Sequence, residues 1–273
     1  MKNLKSYQFL TESKQLNYKT IPEMFEYINS LPSNLVFLDT ETSGLGGATI
    51  QQITQISAII VDSNFKEIDL FDEKIELTDD IKTRMELKNE FPNGIQTPSN
   101  FIKDPWSTKK ILKFNHYSDG DYKYVNEKDS IDNFFKWLGQ YKPYTLVAQN
   151  APFDMSMLGG RYNHKIDTPV LDTKLIIQLY YIPLLQKLSE TDSKYRNTIN
   201  LIGTSGRDNG LISSSLAKIG PSLDIDMSNY HDALTDCKIT IEMIEKIFNL
   251  LEEHKDVDIS KYQIERIKII NNI

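Results

Sequence analysis

The hydrophobic residues of this chain follow two spacings along the sequence. Short apolar runs rich in β-branched residues predict strands, which lie at residues 34–41, 52–61, 68–75, 144–149 and 170–172. Because the first three runs follow one another closely, with a turn at residues 62–64, we expect them to form an antiparallel meander.

Apolar residues spaced three or four positions apart predict helices. They cover residues 21–31, 131–138, a segment that starts at 152 or 153, and residues 173–181, 211–219 and 232–253. Thr20 is in position to cap the first of these helices. Gly159 and Gly160 are expected to end the helix that starts near residue 152. The polar, glycine-containing segment 189–210 is expected to be a mobile loop.

This succession of strands and helices predicts one mixed α/β domain over residues 21–253. Residues 1–20 are polar and weakly patterned and are interpreted as an N-terminal arm, and residues 254–273 as a C-terminal tail. No period holds from about residue 76 to residue 126, so we interpret this segment as a long irregular insertion.

The composition is that of an ordinary globular protein, with 40% hydrophobic and 25% charged residues among 273. A single cysteine, Cys237, excludes an internal disulfide and a cysteine-based metal site, and agrees with a reducing compartment. No apolar run has the length of a membrane span, and the first residues lack the apolar segment of a secretory signal. We therefore expect a cytoplasmic protein without a membrane partner.

The net charge of −7 limits how the chain could contact nucleic acid. Proteins that grip long nucleic acids by neutralising phosphates are usually basic. Any such contact here must be local, mediated by a metal or assisted by a partner.

Two acidic residues, Asp39 and Glu41, end the first predicted strand. Residues i and i+2 of a strand project to the same side, about 7 Å apart, so both carboxylates point at one place. Oxygen ligands of this kind suit Mg²⁺ or Mn²⁺ better than zinc. The spacing alone is weak, because a chain this acidic contains it about five times by chance.

Two further places put an acidic residue at the end or start of a regular element. Asp154 lies four residues after Asn150, in the first turn of a predicted helix, where acidic residues are also common for reasons of helix stability. Asp236 lies near the buried edge of the long helix 232–253, and His231 lies on the loop before it. A lone histidine at a helix start is more often structural, so only the combination points to chemistry.

The combination resembles the DEDDh 3′→5′ exonucleases, a family that includes the proofreading epsilon subunit of bacterial DNA polymerase III and ribonuclease T. The resemblance rests on three motifs in the family's order: Asp39-x-Glu41 in the string Asp-Thr-Glu-Thr-Ser-Gly-Leu, Asn150-x-x-x-Asp154, and His231-x-x-x-x-Asp236. It covers about residues 34–250. It implies a ribonuclease H-like fold, in which a mixed sheet of antiparallel and parallel strands is flanked by helices.

The resemblance also implies roles for particular residues. Two divalent ions, Mg²⁺ or Mn²⁺, would be held by Asp39, Glu41, Asp154 and Asp236, with Glu41 also counted as catalytic. His231 would be the general base, and the positions that touch the terminal nucleotide or neighbour the second motif are Thr42, Leu45 and Asn150. The implied partner is the 3′ end of single-stranded DNA or RNA, and a polymerase or another protein is a further possible partner.

Some residues depart from the family pattern. Gln149 stands where many members have histidine, and Gln55 where many have glutamate, although neither position is a metal ligand in the family. Asp172 resembles a recurring family acid, but a strand-end acid that caps the next helix is the simpler interpretation. The competing hypothesis for the whole chain is a binding module that holds nucleic acid ends or a partner on a nuclease fold without cleaving.

The insertion contains many aromatic residues and lysines, which could stack bases and meet phosphates of a single strand. They could equally pack a small separate core. The residues concerned are Phe91, Phe101, Lys103, Trp106, Lys109, Lys110, Lys113, Phe114, Tyr117, Tyr122 and Tyr124. The other histidines, His116, His164 and His254, have no acidic or histidine partner at a ligand spacing, and no chemistry is assigned to them.

Overall fold

The structure is a computed structural model that describes residues 20–44, 51–86, 95–96, 101–102, 111–113, 115–118, 123–204 and 210–271. The strands are β1 (Asn34–Thr42), β2 (Ile53–Val61), β3 (Glu67–Lys74), β4 (Ile95–Gln96), β5 (Phe101–Ile102), β6 (Tyr144–Ala148) and β7 (Val170–Asp172). Strands β4 and β5 pair with each other in a small separate hairpin.

The helices lie before, between and after these strands. They are α1 (Ile21–Asn29), α2 (Asp79–Glu86), α3 (Glu127–Leu138), α4 (Pro152–Tyr162), α5 (Thr173–Ile176), α6 (Ile182–Leu188), α7 (Ser193–Ile202), α8 (Leu216–Ser222), α9 (Ala233–Glu253) and α10 (Ser260–Asn271). A π-helical stretch, Ile177–Tyr181, joins α5 to α6. None of the helices in the described ranges is both long and apolar enough to cross a membrane.

The main sheet has five strands in the order β3-β2-β1-β6-β7. The predicted antiparallel meander is confirmed, because β1 pairs antiparallel with β2 and β2 with β3. Strand β6 pairs parallel with β1 and with β7. The mixed α/β fold expected from the sequence is therefore present, with β1 at the centre of the sheet.

Side chains of β1 alternate between two hydrophobic cores, one on each face of the sheet. Val36 and Leu38 belong to a core shared with α3 and α4, whereas Phe37 belongs to a core shared with α1 and α9. Because both faces are covered, β2 is buried along its whole length. Asp39 and Glu41 therefore lie on the α9 face, and Thr40 lies on the α4 face.

Most predicted elements are confirmed, including the cap of the first helix. The backbone N–H of Glu23 donates to the Thr20 hydroxyl, and the Glu23 carboxylate accepts from the Thr20 backbone, which is a complete capping box. The long helix 232–253 is also present as α9, with Asp232 as its N-cap.

Two predicted boundaries were wrong. Helix α4 continues through Gly159 and Gly160 to Tyr162 and ends at Asn163, whose φ of 56° is left-handed. A glycine inside a helix costs only about 1 kcal/mol, which the buried apolar side of α4 offsets. Segment 189–210 is not a loop throughout, because it contains α7, which the Asp192 side chain caps; residues 205–209 lie outside the described residues.

Two other predicted helices have different limits. The helix predicted at 173–181 continues through the π-helical stretch to Leu188. Pro183 has no N–H for the Leu179 carbonyl four residues earlier, and Gln263 donates to that carbonyl instead. The helix predicted at 211–219 begins later, at Leu216, and includes Gly220 and Pro221.

The insertion and the tail contain regular structure. Helix α2 and the β4–β5 hairpin lie within residues 76–126, and α10 lies within residues 254–273. Gln263 of α10 is buried and donates to the Leu179 carbonyl at 2.8 Å, so this helix packs on the π-helical stretch. The arm at residues 1–19 lies outside the described residues.

Candidate active site

Three elements bring the acidic residues of the sequence motifs to one end of the central strand. Asp39 and Glu41 lie at the C-terminal end of β1, Asp154 lies in the first turn of α4, and Asp236 lies in the first turn of α9. Asp154 and Asp236 are buried, and the two acidic residues of β1 are half-buried. Asp154 and Asp236 lie close enough to the two acidic residues of β1 that their charges raise the pKa of both Asp39 and Glu41.

Thr40 fixes the position of Asp154. Its backbone N–H and its hydroxyl both donate to Oδ1 of Asp154, at 3.0 Å and 2.6 Å. This is possible because Thr40 faces α4, whereas its neighbours Asp39 and Glu41 face α9. Because alternate side chains of β1 face opposite sides of the sheet, this one strand faces both the α4 residue and the α9 residue of the site.

The loop before α9 holds Asp236 and places His231 beside it. The His231 backbone N–H donates to Oδ1 of Asp236 at 3.2 Å, and His231 has a φ of 75°. Left-handed backbone at a non-glycine residue costs on the order of 1 kcal/mol and persists where the surroundings enforce it. The ligand atoms of Glu41, His231 and Asp236 all lie within 4.8 Å of one another.

Burial raises the pKa of all four carboxyl groups, and repulsion from neighbouring site carboxylates adds to the rise for Asp39 and Glu41. Burial raises the pKa of Asp154 to about 7, although the two hydrogen bonds from Thr40 oppose the rise. Burial also raises the pKa of Asp236 to about 7, against the hydrogen bond from His231. The pKa values of Asp39 and Glu41 are raised well above their ordinary range by burial and then by the neighbouring carboxylates.

The pKa of His231 is shifted in the opposite direction. Its ring is half-buried, and burial together with the charge of His116 lowers its pKa below the ordinary value. The imidazole is therefore neutral near pH 7 and has a ring nitrogen that accepts a proton. The ring of Tyr230 packs against it, with 3.5 Å between ring centroids.

The donor set fits a divalent cation. Lys74 lowers the pKa of Glu41, but burial and three carboxylates exceed its effect. A bound divalent cation removes this repulsion, and carboxylate oxygens are the ligands that hard divalent cations prefer. Asp39, Glu41, Asp154 and Asp236 are the residues that could hold it.

The residues expected to touch substrate have different surroundings. The Thr42 hydroxyl points inward and donates to the Gly44 carbonyl at 2.8 Å, which shapes the turn after β1. Asn150 is exposed at the end of β6 with a φ of 65°, and its side-chain oxygen accepts from Lys174 at 3.3 Å. Leu45 lies outside the described residues.

Asp172 and Gln149 connect neighbouring elements at this end of the sheet. One Asp172 oxygen accepts from the backbone N–H groups of Lys174 and Asn150, both at 3.0 Å, so it caps α5 as the simpler interpretation held. Gln149 donates to the Ser214 carbonyl at 2.8 Å and accepts from the Thr173 hydroxyl.

Sequence reasoning missed a turn at residues 115–118 that packs against the site. Asn115 donates to the Thr42 carbonyl at 3.1 Å, and the buried Lys74 donates to the His116 carbonyl at 2.6 Å. The sequence around His116 gives no sign that it lies near the site, because its neighbours there come from β1, β3 and the loop before α9.

The aromatic residues of the insertion are described only in part. Tyr117 packs on a small separate cluster of Leu77, Ile81 and Leu112, and its ring lies 5.1 Å from that of Tyr124. This favours packing over base stacking for Tyr117. The side chains of Phe91, Phe101, Lys103, Trp106, Lys109, Lys110, Phe114 and Tyr122 lie outside the described part of the chain.

The arrangement of sheet and helices has been seen before in solved structures. The fold is shared with E. coli exonuclease I. The chain superposes on its complex with a dA16 oligonucleotide with a TM-score of 0.51 and 18% identity, covering 82% of this chain and 44% of that chain. The complex with a dT13 oligonucleotide gives 0.50 and 20% identity, with the same coverage of 82% and 44%.

These comparisons establish the fold alone. The chain spans less than half of the exonuclease I chains that it matches. No protein-family model matches the sequence, and no curated protein does.

Proposed function

We propose that this protein is a metal-dependent 3′→5′ exonuclease that acts on single-stranded or frayed DNA or RNA and releases nucleoside 5′-monophosphates. The observation that carries the proposal is the convergence of five residues from three distant segments: Asp39, Glu41, Asp154, His231 and Asp236. They occur in the order of the DEDDh motifs, on a fold shared with exonuclease I.

The four carboxylates hold two divalent ions in this proposal, Mg²⁺ or Mn²⁺. When bound, two such ions stabilise the charge on the attacking and leaving oxygens of a displacement at phosphorus. The oxygen-rich donor set supports these ions over zinc. The cations also give an acidic protein the local positive charge that a phosphate needs.

His231 is the general base in this proposal. Its neutral ring nitrogen accepts a proton from the attacking water as the water oxygen bonds to phosphorus. The bond from phosphorus to the 3′ oxygen of the preceding nucleotide breaks, that oxygen takes up a proton from solvent, and His231 returns its own proton to solvent. General-base assistance of this kind contributes about 10²–10⁴-fold in rate.

Substrate contacts are proposed for three positions that follow the ends of β1 and β6 in the sequence. Thr42 and Leu45 follow the acidic residues of β1, and Asn150 lies at the adjacent strand end, so these positions are proposed to contact the terminal nucleotide. Single-stranded DNA is the first substrate to test, because the exonuclease I structures with this fold hold dA16 and dT13 oligonucleotides.

The proposal is tested with 5′-labelled DNA and RNA oligonucleotides of matched sequence. The protein should shorten them one nucleotide at a time from the 3′ end with Mg²⁺ or Mn²⁺, and chelator should stop the reaction. Asp39→Asn and His231→Gln should lose at least about 100-fold in rate. Glu245→Gln is the matched control, because it neutralises an exposed acidic residue on α9.

Two results would count against the proposal. Asp39→Asn protein that degrades oligonucleotides as fast as the parent would place the activity elsewhere. Tight binding of 3′ ends without turnover in either metal would instead support the non-cleaving binding module.

A further inference from the structure

Gln55 is the third residue of β2, the strand that lies between β1 and the edge strand β3. In the strand register it pairs with Glu41 of β1 on one side and with Lys74 of β3 on the other. Side chains of paired residues share a face, so the Gln55 amide lies on the α9 face of the sheet, as Glu41 does. It is only 2% exposed, so its amide must find its partners within the protein.

The amide makes three hydrogen bonds, two of them to carboxylates. Its Nε2 group donates to Oδ1 of Asp72 at 2.9 Å and to Oδ2 of Asp232 at 3.2 Å. Its Oε1 atom accepts from the backbone N–H of Ala233 at 3.3 Å. An ionised glutamate of the same length could accept from Ala233 but has no hydrogen for either carboxylate, and a protonated glutamate has a single O–H for one of the two.

Asp232 connects this amide to the start of α9. It caps the helix by accepting from the Thr235 N–H at 3.2 Å, and its carbonyl accepts from the Asp236 N–H at 2.8 Å. His231 precedes Asp232 and donates its own N–H to Asp236. The first turn of α9 is therefore fixed to β2 and β3 at the residue between the proposed base and a proposed ligand.

We infer that Gln55 is a positioning residue that holds the first turn of α9, and with it His231 and Asp236, in register with Asp39 and Glu41. This inference rests on the proposed function. Gln55 itself touches neither substrate nor cation in this arrangement and acts through Asp232. Residues that orient ligands in this way typically contribute about 10–100-fold to metal affinity or activity.

The test uses the isosteric variant Gln55→Glu, which keeps the size of the side chain and removes at least one of the two donated hydrogen bonds. We expect kcat to fall at least about tenfold while KM for the oligonucleotide changes little. The apparent Kd for Mn²⁺, measured by thermal shift without nucleic acid, should rise by a similar factor of about ten.

A variant that exchanges the hydrogen-bond donor and acceptors distinguishes the positioning role of Gln55 from a loss of folding. In the triple variant Gln55→Glu, Asp72→Asn, Asp232→Asn, the two new amides donate to the new carboxylate, and Asn remains a good N-cap. This variant should recover most of kcat and Mn²⁺ affinity. Gln263→Glu is the control for a buried amide on another helix, whose hydrogen bond goes to the Leu179 carbonyl, and it should lower stability without lowering kcat at temperatures well below its Tm.

Each outcome has one interpretation. If Gln55→Glu retains kcat and Mn²⁺ affinity within about twofold, or the triple variant recovers neither, the positioning role is wrong. If the parent protein binds Mn²⁺ but cleaves no oligonucleotide, the proposed function fails, and the Mn²⁺ affinities alone decide the role of Gln55.

Discussion

Thr40 donates two hydrogen bonds to a single oxygen of Asp154, one from its backbone and one from its hydroxyl. The two residues are 114 positions apart in the chain. Both bonds favour the ionised form of Asp154 and so limit the rise in its pKa that burial causes. Thr40, which lies between Asp39 and Glu41, thus favours the ionised form of a third acidic residue, Asp154.

Thr40→Val should weaken the site without changing the size of the side chain. It removes the hydroxyl donor, so the pKa of Asp154 should rise further above about 7. A smaller fraction of Asp154 is then ionised at neutral pH, so the rate at pH 7 should fall about tenfold. A pH–rate profile should show the loss shrinking as the pH increases.

Thr54→Val is the matched control for this change. Thr54 is a buried threonine of β2 whose hydroxyl has no hydrogen-bond partner among the described residues. Its replacement should leave the profile unchanged and should not lower stability, because no bond is lost. Equal effects of the two variants would show that Thr40 acts only through packing.

Without divalent cations the protein should become less stable as the pH rises. Asp154 and Asp236 have pKa values of about 7 in the folded state against an ordinary 3.8, so folding takes up protons between these values. The free energy of unfolding should fall by about 1.4 kcal/mol per pH unit for each such group across that window. The lowered pKa of His231 acts in the opposite direction, because His231 releases a proton on folding. Its effect is that of one group, and the two or more carboxyl groups outweigh it.

Urea unfolding in chelator between about pH 5 and pH 8 measures this slope. Acidic residues outside the site, such as the half-buried Asp69 and the exposed Asp167, have lowered pKa values and titrate below this range, so they do not obscure it. Asp39→Asn should flatten the slope because it removes an acidic group whose pKa is raised by burial and by the neighbouring carboxylates. A stability that rises with pH would contradict the electrostatic description of the site.

Divalent cations should reverse this loss of stability. At about 100 times its Kd a cation that binds only the folded protein adds about 2.7 kcal/mol to the free energy of unfolding. The increase in Tm with Mn²⁺ should grow with pH, since the cation displaces protons from its ligands. Asp236→Asn should abolish most of the increase, whereas Glu245→Gln on the same helix should retain it. An increase that survives in Asp236→Asn would place the cation elsewhere.

The sequence predicts the parts of the site whose signal is local. Asp39 and Glu41 follow an apolar run, and a strand period of two is enough to place both on one side. The position of His231 before the helix, rather than on it, also follows from local spacing. The fold is predictable for the same reason, because the meander and the long helix have clear periods.

The rest of the site depends on contacts between distant residues. Gln55 and Asp232 are separated by 177 positions, and the sequence alone gives no sign that an amide joins them. The turn at His116 lies in a segment without any period, so its approach to the site could not be predicted. Helix α7 was missed because Ile202 is its one fully buried residue, too little to produce a periodic pattern.

Two of the ion pairs on helix α3 should differ sharply in their effect on stability. Glu127 is 2% exposed and accepts from the Ile53 backbone at 2.9 Å and from the Arg161 guanidinium at 2.5 Å, whereas Lys128 and Asp132 form their pair in solvent. Glu127→Ala leaves Arg161 without this partner and a backbone N–H of β2 unsatisfied, so unfolding should become easier by about 3 kcal/mol. Lys128→Ala should leave the free energy of unfolding unchanged within error, because an exposed pair gains little over water. Urea unfolding of both variants measures the difference, and equal effects would mean that burial does not decide the strength of the Glu127 pair.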